Sequence, residues 1–212
     1  MLLEFCAENF TKIPEAIDKG IHRIELCDNL AAGGTTPSYA VIEHTIKYAK
    51  EKNVQVATMV RPRGGNFIYH AEEFEMMKKD LQMIKELNSD GVVFGCLNEN
   101  KRIDRVQTKQ LIERSGEMET VFHMAFDEIP KEHQKEELDW LISEGITRIL
   151  THGGREGTIW DNATWLEELI TYADNRVEIL IGGGVNYKNW PKLAEEFSTH
   201  QFHGTQIVNF EK

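Results

Sequence analysis

Carboxylates and thiols alternate in two short apolar segments near the start of the chain. Glu4 and Cys6 are two positions apart in the first segment, and Glu25 and Cys27 are two positions apart in the second. Strand residues of equal parity share one face, so each segment would present both groups to the same side. A strand carboxylate is rarely buried without a partner. The pattern favours acid–base chemistry or a soft-metal site, although many buried cysteines are ordinary core residues.

Two arginines follow the third apolar segment. Arg61 could form a structural ion pair with Glu4 or Glu25, or hold an anionic ligand with its planar fork of donors. Arg63 precedes two glycines and adds a second positive charge at the same place. These arginines predict a local positive spot in a chain whose overall charge is negative.

Histidines and glycines come at the ends of later apolar segments. His123 shares parity with Asp127, and an imidazole near carboxylates suits general acid–base work. His152 follows the sixth segment and offers a second imidazole. A helix is predicted from about residue 187. Backbone N–H groups that lack a hydrogen-bond partner just before a helix can bind an anion. Three glycines could supply those amides: Gly182, Gly183 and Gly184.

Eight short apolar segments alternate with amphipathic ones, and these elements must position the residues above. Apolar residues between the segments recur at intervals of three and four, which is typical of helices. Strict alternation predicts a parallel sheet covered by helices, and eight repeats predict a closed (β/α)8 TIM-type barrel. Reactive groups in such barrels gather at the carboxyl ends of the strands. The predicted strands are 2–7, 21–27, 54–61, 91–96, 119–125, 147–152, 177–182 and 205–209.

The predicted barrel is one domain over residues 1–212, and it is short. Only residues 210–212 would follow the last strand, so the last helix is expected to be missing or truncated. Uncovered apolar barrel surface there predicts a homodimer. His203 would precede the last strand and lie at the end that serves stability. A faint repeat, GIHRI at 20–24 and GITRI at 145–149, is what a duplicated half-barrel would give.

Composition excludes several classes of protein. Lys+Arg of 24 against Asp+Glu of 35 gives a net charge of −11, so a nucleic-acid partner is not expected. No apolar run approaches the roughly 20 residues that cross a bilayer, so no membrane partner is expected. The first ten residues lack the basic start of a signal peptide. Three cysteines without a CxxC pair then predict reduced thiols and a cytoplasmic location.

Several blocks along nearly the whole chain resemble the CutC family. The most specific are RIELC at 23–27, GGTTPS at 33–38 and MVRPRGGNFIY at 59–69. The resemblance implies a TIM-type barrel and an association with cytoplasmic copper homeostasis. It also implies Cu(I) as the bound ion, with Cys6 and Cys27 as ligands and Cys96 as a weaker candidate.

Two positions depart from the pattern of the family that the chain resembles. Met124 stands where an arginine is usual, and His152 stands where a serine is usual. If that arginine binds an anion in relatives, this chain has lost a donor or has changed its ligand preference. Met124 is therefore also the cue for a third interpretation, an inactive scaffold.

Two functions from different classes stay open, and so does the question of whether the chain is an enzyme. The first is a CutC-like cytoplasmic protein that binds Cu(I). The second is an enzyme that acts on a small anionic, for example phosphorylated, metabolite. Its catalytic residues would be Glu4, Glu25, Arg61, His123 and Asp127. Its anion-binding residues would be Arg63, His152, Gly182, Gly183 and Gly184.

Overall fold

The computed structural model describes residues 1–211 and contains eight parallel strands that close into a barrel. Each strand pairs with the next one along the chain, and the eighth pairs with the first. This architecture confirms the predicted (β/α)8 barrel. The strands are β1 (Leu2–Glu8), β2 (Arg23–Cys27), β3 (Gln55–Met59), β4 (Gly91–Phe94), β5 (Glu119–Phe122), β6 (Arg148–Thr151), β7 (Glu178–Ile181) and β8 (Gln201–Gly204).

Seven α-helices lie between the strands, and none follows β8 within residues 1–211. The predicted absence of a last helix is confirmed for that part of the chain. No helix in it is long and apolar enough to cross a membrane. The helices are α1 (Ile13–Asp18), α2 (Tyr39–Glu51), α3 (Ala71–Glu86), α4 (Arg105–Ser115), α5 (Lys131–Ser143), α6 (Ala163–Ala173) and α7 (Trp190–Glu196). Short 3-10 helices occupy Leu30–Ala32 and Met124–Glu128.

Inward side chains fill the barrel with a cluster that is separate from the larger core under the helices. This inner cluster draws on seven of the eight strands, as the alternation of strand side chains requires. Leu30 and Met124 are partly buried and pack against it. Its buried members are Cys6, Cys27, Ala57, Met59, Val93, Val121, Leu150 and Leu180.

The eighth strand is Gln201–Gly204, so its predicted position at 205–209 is wrong. The later segment is richer in β-branched residues, but pairing with β1 and close packing decide the boundary. His203 lies opposite Glu4 in the register with β1. A Cβ on Gly204 would lie 2.2 Å from the carbonyl oxygen of Val185, an approach that only glycine permits. The expectation that His203 lies outside the barrel strands is therefore also wrong.

The chain itself covers the outer face of β1 and β8. Phe210 packs on Phe5 with ring centroids 5.4 Å apart, and Trp190 lies 6.4 Å from Phe202. Phe5 and Phe202 are almost completely buried as a result. The apolar surface that motivated the homodimer is thus covered without a second chain, and the homodimer stays a prediction.

Candidate metal centre

Two thiols and a carboxylate meet inside the barrel. Cys6 of β1 is paired in register with Glu25 of β2, and Cys27 ends β2. Glu25 Oε2 lies 3.4 Å from Cys6 Sγ and 3.6 Å from Cys27 Sγ. The two sulfur atoms and a Glu25 oxygen all lie within 4.8 Å of one another. The predicted convergence of these side chains is confirmed, whereas their role as metal ligands stays a prediction.

A buried histidine and a buried arginine hold the other carboxylate of the site. His203 Nδ1 lies 2.7 Å from Glu4 Oε1, and its Nε2 lies 3.6 Å from Glu25 Oε2. Arg23 Nε donates to Glu4 Oε2. The partner of Glu4 is therefore not Arg61, so that one of the alternatives left open for Arg61 is excluded. Neither partner was predicted from the sequence, although Arg23 shares the inward parity of Glu25 and Cys27 on β2.

Mutual charges set the protonation of these buried groups. Burial by itself raises the pKa of Glu4, but Arg23 and His203 outweigh it and lower that pKa to about 2. Burial raises the pKa of Glu25 to about 8, although the His203 charge opposes the rise. Burial also disfavours a charged imidazole, yet the surrounding acidic groups raise the pKa of His203 well above its usual range. At neutral pH the barrel thus holds ionised Glu4, protonated Glu25 and charged His203.

The two thiols differ in acidity because they lie side by side. The interaction with Cys27 lowers the pKa of the Cys6 thiol well below its usual range, and the same interaction raises the pKa of Cys27 well above its usual range. The thiolate is the form that binds metals. Cys6, which has the lower pKa, is the thiol that ionises first. Glu25 Oε1 is a buried acceptor without a hydrogen-bond partner among residues 1–211. This donor set of two thiols and a free carboxyl oxygen fits a soft cation.

A polar network continues from the centre toward the amino ends of the strands. Arg23 Nη2 and Arg148 Nε both reach Gln201 Oε1, at 3.5 and 2.8 Å. Arg148 Nη1 also donates to Glu119 at 2.8 Å. The two arginines are the matching residues of the GIHRI and GITRI segments. The faint repeat therefore corresponds to inward arginines on β2 and β6.

Arg61 holds a loop closed over the thiols. Its guanidinium donates to the carbonyl of Gly65 at 2.7 Å and to three carbonyls of the loop after β2 at 3.0–3.1 Å, those of Ala32, Gly33 and Gly34. Gly34 has a positive φ of 84°, and a Cβ there would lie 3.2 Å from Cys27 Sγ. The β2–α2 loop, residues 28–38, therefore covers the candidate metal centre and is fastened by Arg61.

His123 lies just past β5 and is neutral. Its Nδ1 accepts the amide of Ala125 at 3.2 Å, and its ring lies 4.8 Å from that of Phe67. Burial and the Arg61 charge lower its pKa to about 3. The chain after His123 forms a 3-10 helix instead of a strand. The prediction that His123 and Asp127 lie on the same face of one strand is therefore wrong.

The lowered pKa of His123 predicts how the free energy of unfolding changes as the pH falls. The unfolded chain takes up this proton near pH 6.5 and the folded chain only near pH 3, so stability falls as the pH drops through that window. We expect His123 to remove about 2 kcal/mol of unfolding free energy between pH 6.5 and pH 5. Urea denaturation of His123→Asn should show a shallower acid slope, and exposed His44→Asn is the matched control. An unchanged slope in His123→Asn would contradict a neutral buried imidazole.

Asp127 and His152 form a separate pair at the carboxyl end of β6. Asp127 is buried, accepts from Thr151 Oγ1, and lies 2.8 Å from His152 Nδ1. The hydrogen bond to Asp127 raises the pKa of His152. His152 also packs on Gly183, whose Cβ would lie 3.0 Å from that of the histidine. Among residues 1–211, no hydrogen bond or ion pair joins this pair to Arg61, His123 or the thiol group.

Of the remaining predicted anion-binding residues, Arg63 is held by other groups of the protein. Arg63 pairs with Glu73 at 2.5 Å and donates to the carbonyl of Ile68 at 2.8 Å. The helix after the three glycines begins at Trp190, later than predicted, and has seven residues. Gly184 has open space where a side chain would be. The catalytic and anion-binding roles of all these residues stay predictions.

Comparison with known proteins identifies the family. The model of the CutC family matches residues 1–208. The chain belongs to the CutC family. A family protein CutC of Enterococcus faecalis is 52% identical over 98% of this chain and 100% of its own length.

Solved structures agree with the family and with the fold. A Streptococcus agalactiae protein, described as a candidate copper homeostasis protein CutC, superposes with a TM-score of 0.95 at 46% identity, over 98% of this chain and all of its own. A deoxyribose phosphate aldolase of Aeropyrum pernix has a TM-score of 0.72 at 11% identity, over 98% of this chain and 86% of its own. At that identity the aldolase shows the shared barrel fold alone. This CutC family member is thus a closed barrel, and it carries thiols and carboxylates inside.

Proposed function

We propose that this CutC family member binds Cu(I) inside its barrel and takes part in copper homeostasis. The observation that carries the proposal is the approach of Cys6 Sγ, Cys27 Sγ and a Glu25 oxygen to within 4.8 Å of one another. Thiolates are the protein ligands that favour Cu(I). The S. agalactiae relative, described as a candidate copper homeostasis protein, supports the choice of cargo.

The separation of the sulfur atoms suits one shared ion. Two metal–thiolate bonds of about 2.3 Å each can reach across the two sulfur atoms, which lie within 4.8 Å of each other. Cys6 and Cys27 would each bind as thiolate, and the thiol protons would leave. Buried positive charge on Arg23 and His203 stabilises negative charge on such ligands.

The strand register favours a bound ion over a disulfide. Cys6 is opposite Glu25 and Cys27 is opposite Glu8, so the two cysteines are two positions out of register. An offset of two residues adds about 6.6 Å along the strands to the roughly 4.8 Å between them, so the Cα atoms lie about 8 Å apart, beyond the limit for a disulfide. The side chains can thus converge on an ion while remaining free thiols.

We place this function in the cytoplasm. All three cysteines are free and buried, as expected of thiols in a reducing compartment. Cu(I), the reduced ion, requires the same conditions. Because the thiols are only 7% and 1% exposed, the β2–α2 loop must move for the ion to enter or leave.

Replacing the two inner cysteines tests the function. We expect Cys6→Ser/Cys27→Ser to weaken Cu(I) binding at least about 100-fold, because it removes both soft ligands and each 1.4 kcal/mol is a factor of ten. Competition with bicinchoninate under anaerobic conditions measures the affinity. Cys96→Ser is the matched control, since Cys96 is equally buried but belongs to the core under the helices.

The control decides how the result is interpreted. Wild-type affinity in Cys96→Ser and a large loss in the double variant support the inner site. Unchanged affinity in the double variant would reject the proposed function, and equal losses in both would place copper elsewhere.

A further inference from the structure

A cavity of about 300 Å³ opens where β3, β4, β5 and β6 end. Ligand sites of TIM-type barrels lie at this end of the strands, and the volume is at the lower end of the range for small-molecule sites. The residues that line the cavity differ from the proposed copper ligands and from the residues predicted for catalysis or anion binding. A ligand in this cavity would therefore be separate from the proposed function.

One wall of the cavity is apolar. Phe67 and Ile68 come from the loop after β3, and Leu97 comes from the loop after β4. The Phe67 ring packs on two buried side chains, with its centroid 4.7 Å from Arg61 Cζ and 4.8 Å from the centroid of the His123 ring. Burial of apolar ligand atoms against this wall is favourable, and an aromatic group can stack on Phe67.

The rim of the cavity carries hydrogen-bond donors. Lys101 and Arg155 bring two positive charges, and their side chains are 44% and 58% exposed. Asn66 and Asn98 turn their side-chain oxygens to backbone N–H groups of their own loops, at 3.3 and 3.0 Å. Neither side-chain amide nitrogen donates a hydrogen bond to another group within residues 1–211, so both are available to a ligand.

Glu128 lies between the two cations of the rim. Its Oε2 is 4.0 Å from Lys101 Nζ and 3.2 Å from Arg155 Nε. Ion pairs between side chains as exposed as these contribute little to stability, so an incoming anion can take the place of the Glu128 carboxylate. The position of Glu128 also shows that this rim accommodates a carboxylate.

We propose that this cavity binds a small organic acid, with its anionic group at Lys101 and Arg155 and its apolar body against Phe67. Two cations and one carboxylate leave a net charge of 2 − 1 = +1 at the rim, which favours an anion over a neutral or cationic ligand. Both cations and both asparagine amides are donors, and the oxygens of an acid accept from them. A carboxylate and a phosphate ester share this chemistry and are tested as separate probes.

Side-chain amide signals report binding at the cavity. 15N-labelled protein is titrated with 3-phenylpropionate, with phenyl phosphate and with the neutral 3-phenylpropanamide. We expect the anions to shift the Asn66 and Asn98 NH2 signals with saturation, and the neutral amide to bind at least about tenfold more weakly. The anion with the lower Kd identifies the kind of acid. No saturable shift with either anion, equal binding of the neutral amide, or larger shifts at residues 182–184 would overturn the proposal.

Charge variants test the roles of the rim residues. Lys101→Gln/Arg155→Gln should weaken binding of the tighter of the two anions at least about tenfold, because both charged donors are lost. Lys109→Gln/Arg176→Gln is the matched control, since it removes two cations that are 51% and 44% exposed and do not line the cavity. Glu128→Gln should tighten binding about threefold, because it removes the carboxylate that competes with the ligand.

The opposite signs of these effects decide where the anion binds. A loss in Lys101→Gln/Arg155→Gln and a gain in Glu128→Gln support the cavity. Equal losses in Lys101→Gln/Arg155→Gln and in the control would mean that overall charge attracts the anion, and weaker binding in Glu128→Gln would reject the place of the anion beside Lys101 and Arg155.

Discussion

Arg23→Met is expected to lower the free energy of unfolding by about 3–5 kcal/mol, because it leaves a buried carboxylate without its guanidinium. Arg23 and Glu4 are 1% exposed, and Arg23 Nε donates to the Glu4 carboxylate. His203 alone cannot replace the lost bond, because its other ring nitrogen faces Glu25. Urea denaturation at pH 7 measures the loss.

Two further variants separate charge from packing at Arg23. Arg148→Met removes the matching arginine of β6, whose partner Glu119 is 36% exposed, so we expect a smaller loss of about 1 kcal/mol. Glu4→Gln combined with Arg23→Met removes both charges and should recover much of the stability. Equal losses at Arg23 and Arg148, or no recovery in the double variant, would contradict a buried ion pair.

Arg61→Lys is expected to cost about 3–4 kcal/mol of unfolding free energy, because hydrogen bonds from a charged donor contribute about 1.5–3 kcal/mol each. Arg61 makes four such bonds to carbonyls of two loops. A lysine ammonium is a compact donor that cannot span this fork of acceptors. The freed β2–α2 loop should also expose Cys27, so native-state thiol reaction with a disulfide reagent should become faster.

Arg63→Lys is the matched control for Arg61. Arg63 also donates to loop carbonyls, but its side chain is 36% exposed, so water can replace the lost bonds. We expect a loss of about 1 kcal/mol and wild-type thiol reactivity. If Arg61→Lys keeps both stability and slow thiol reaction, Arg61 does not fasten the loop.

Local patterns were sufficient to predict the barrel and its inward residues. Apolar residues at intervals of three and four between the strands predicted helices with one buried face, and on α3 Phe74, Met77, Leu81 and Ile84 are buried. Strand parity placed Cys6 and Cys27 together inside the barrel. The buried face of a helix and the inward face of a strand both follow from a repeat within that one element. Residues close together in the sequence therefore determine which side chains are buried.

The partners of the buried charges could not be predicted in this way. An ion pair with Glu4 or Glu25 was one of two roles left open for Arg61, but its guanidinium donates to loop carbonyls. His203 was placed outside the strands because the residues after it are better β-formers. The alternation of Gln201, Phe202 and His203, with an apolar residue between polar ones, was a usable signal for a strand.

The sequence by itself determined the family, the alternation of strands and helices that closes the barrel, and the shared inward face of Cys6, Cys27, Glu4 and Glu25. Only the tertiary structure decided that Arg23 and His203 hold Glu4, that Arg61 fastens the loop above Cys27, and that Phe210 packs on Phe5 at the outer face of β1. The physical reason is the distance along the sequence between the residues that interact. The direction of a side chain follows from the period of its own strand. Its partner depends on the register between strands that meet only when the barrel closes, up to 199 residues apart for His203 and Glu4.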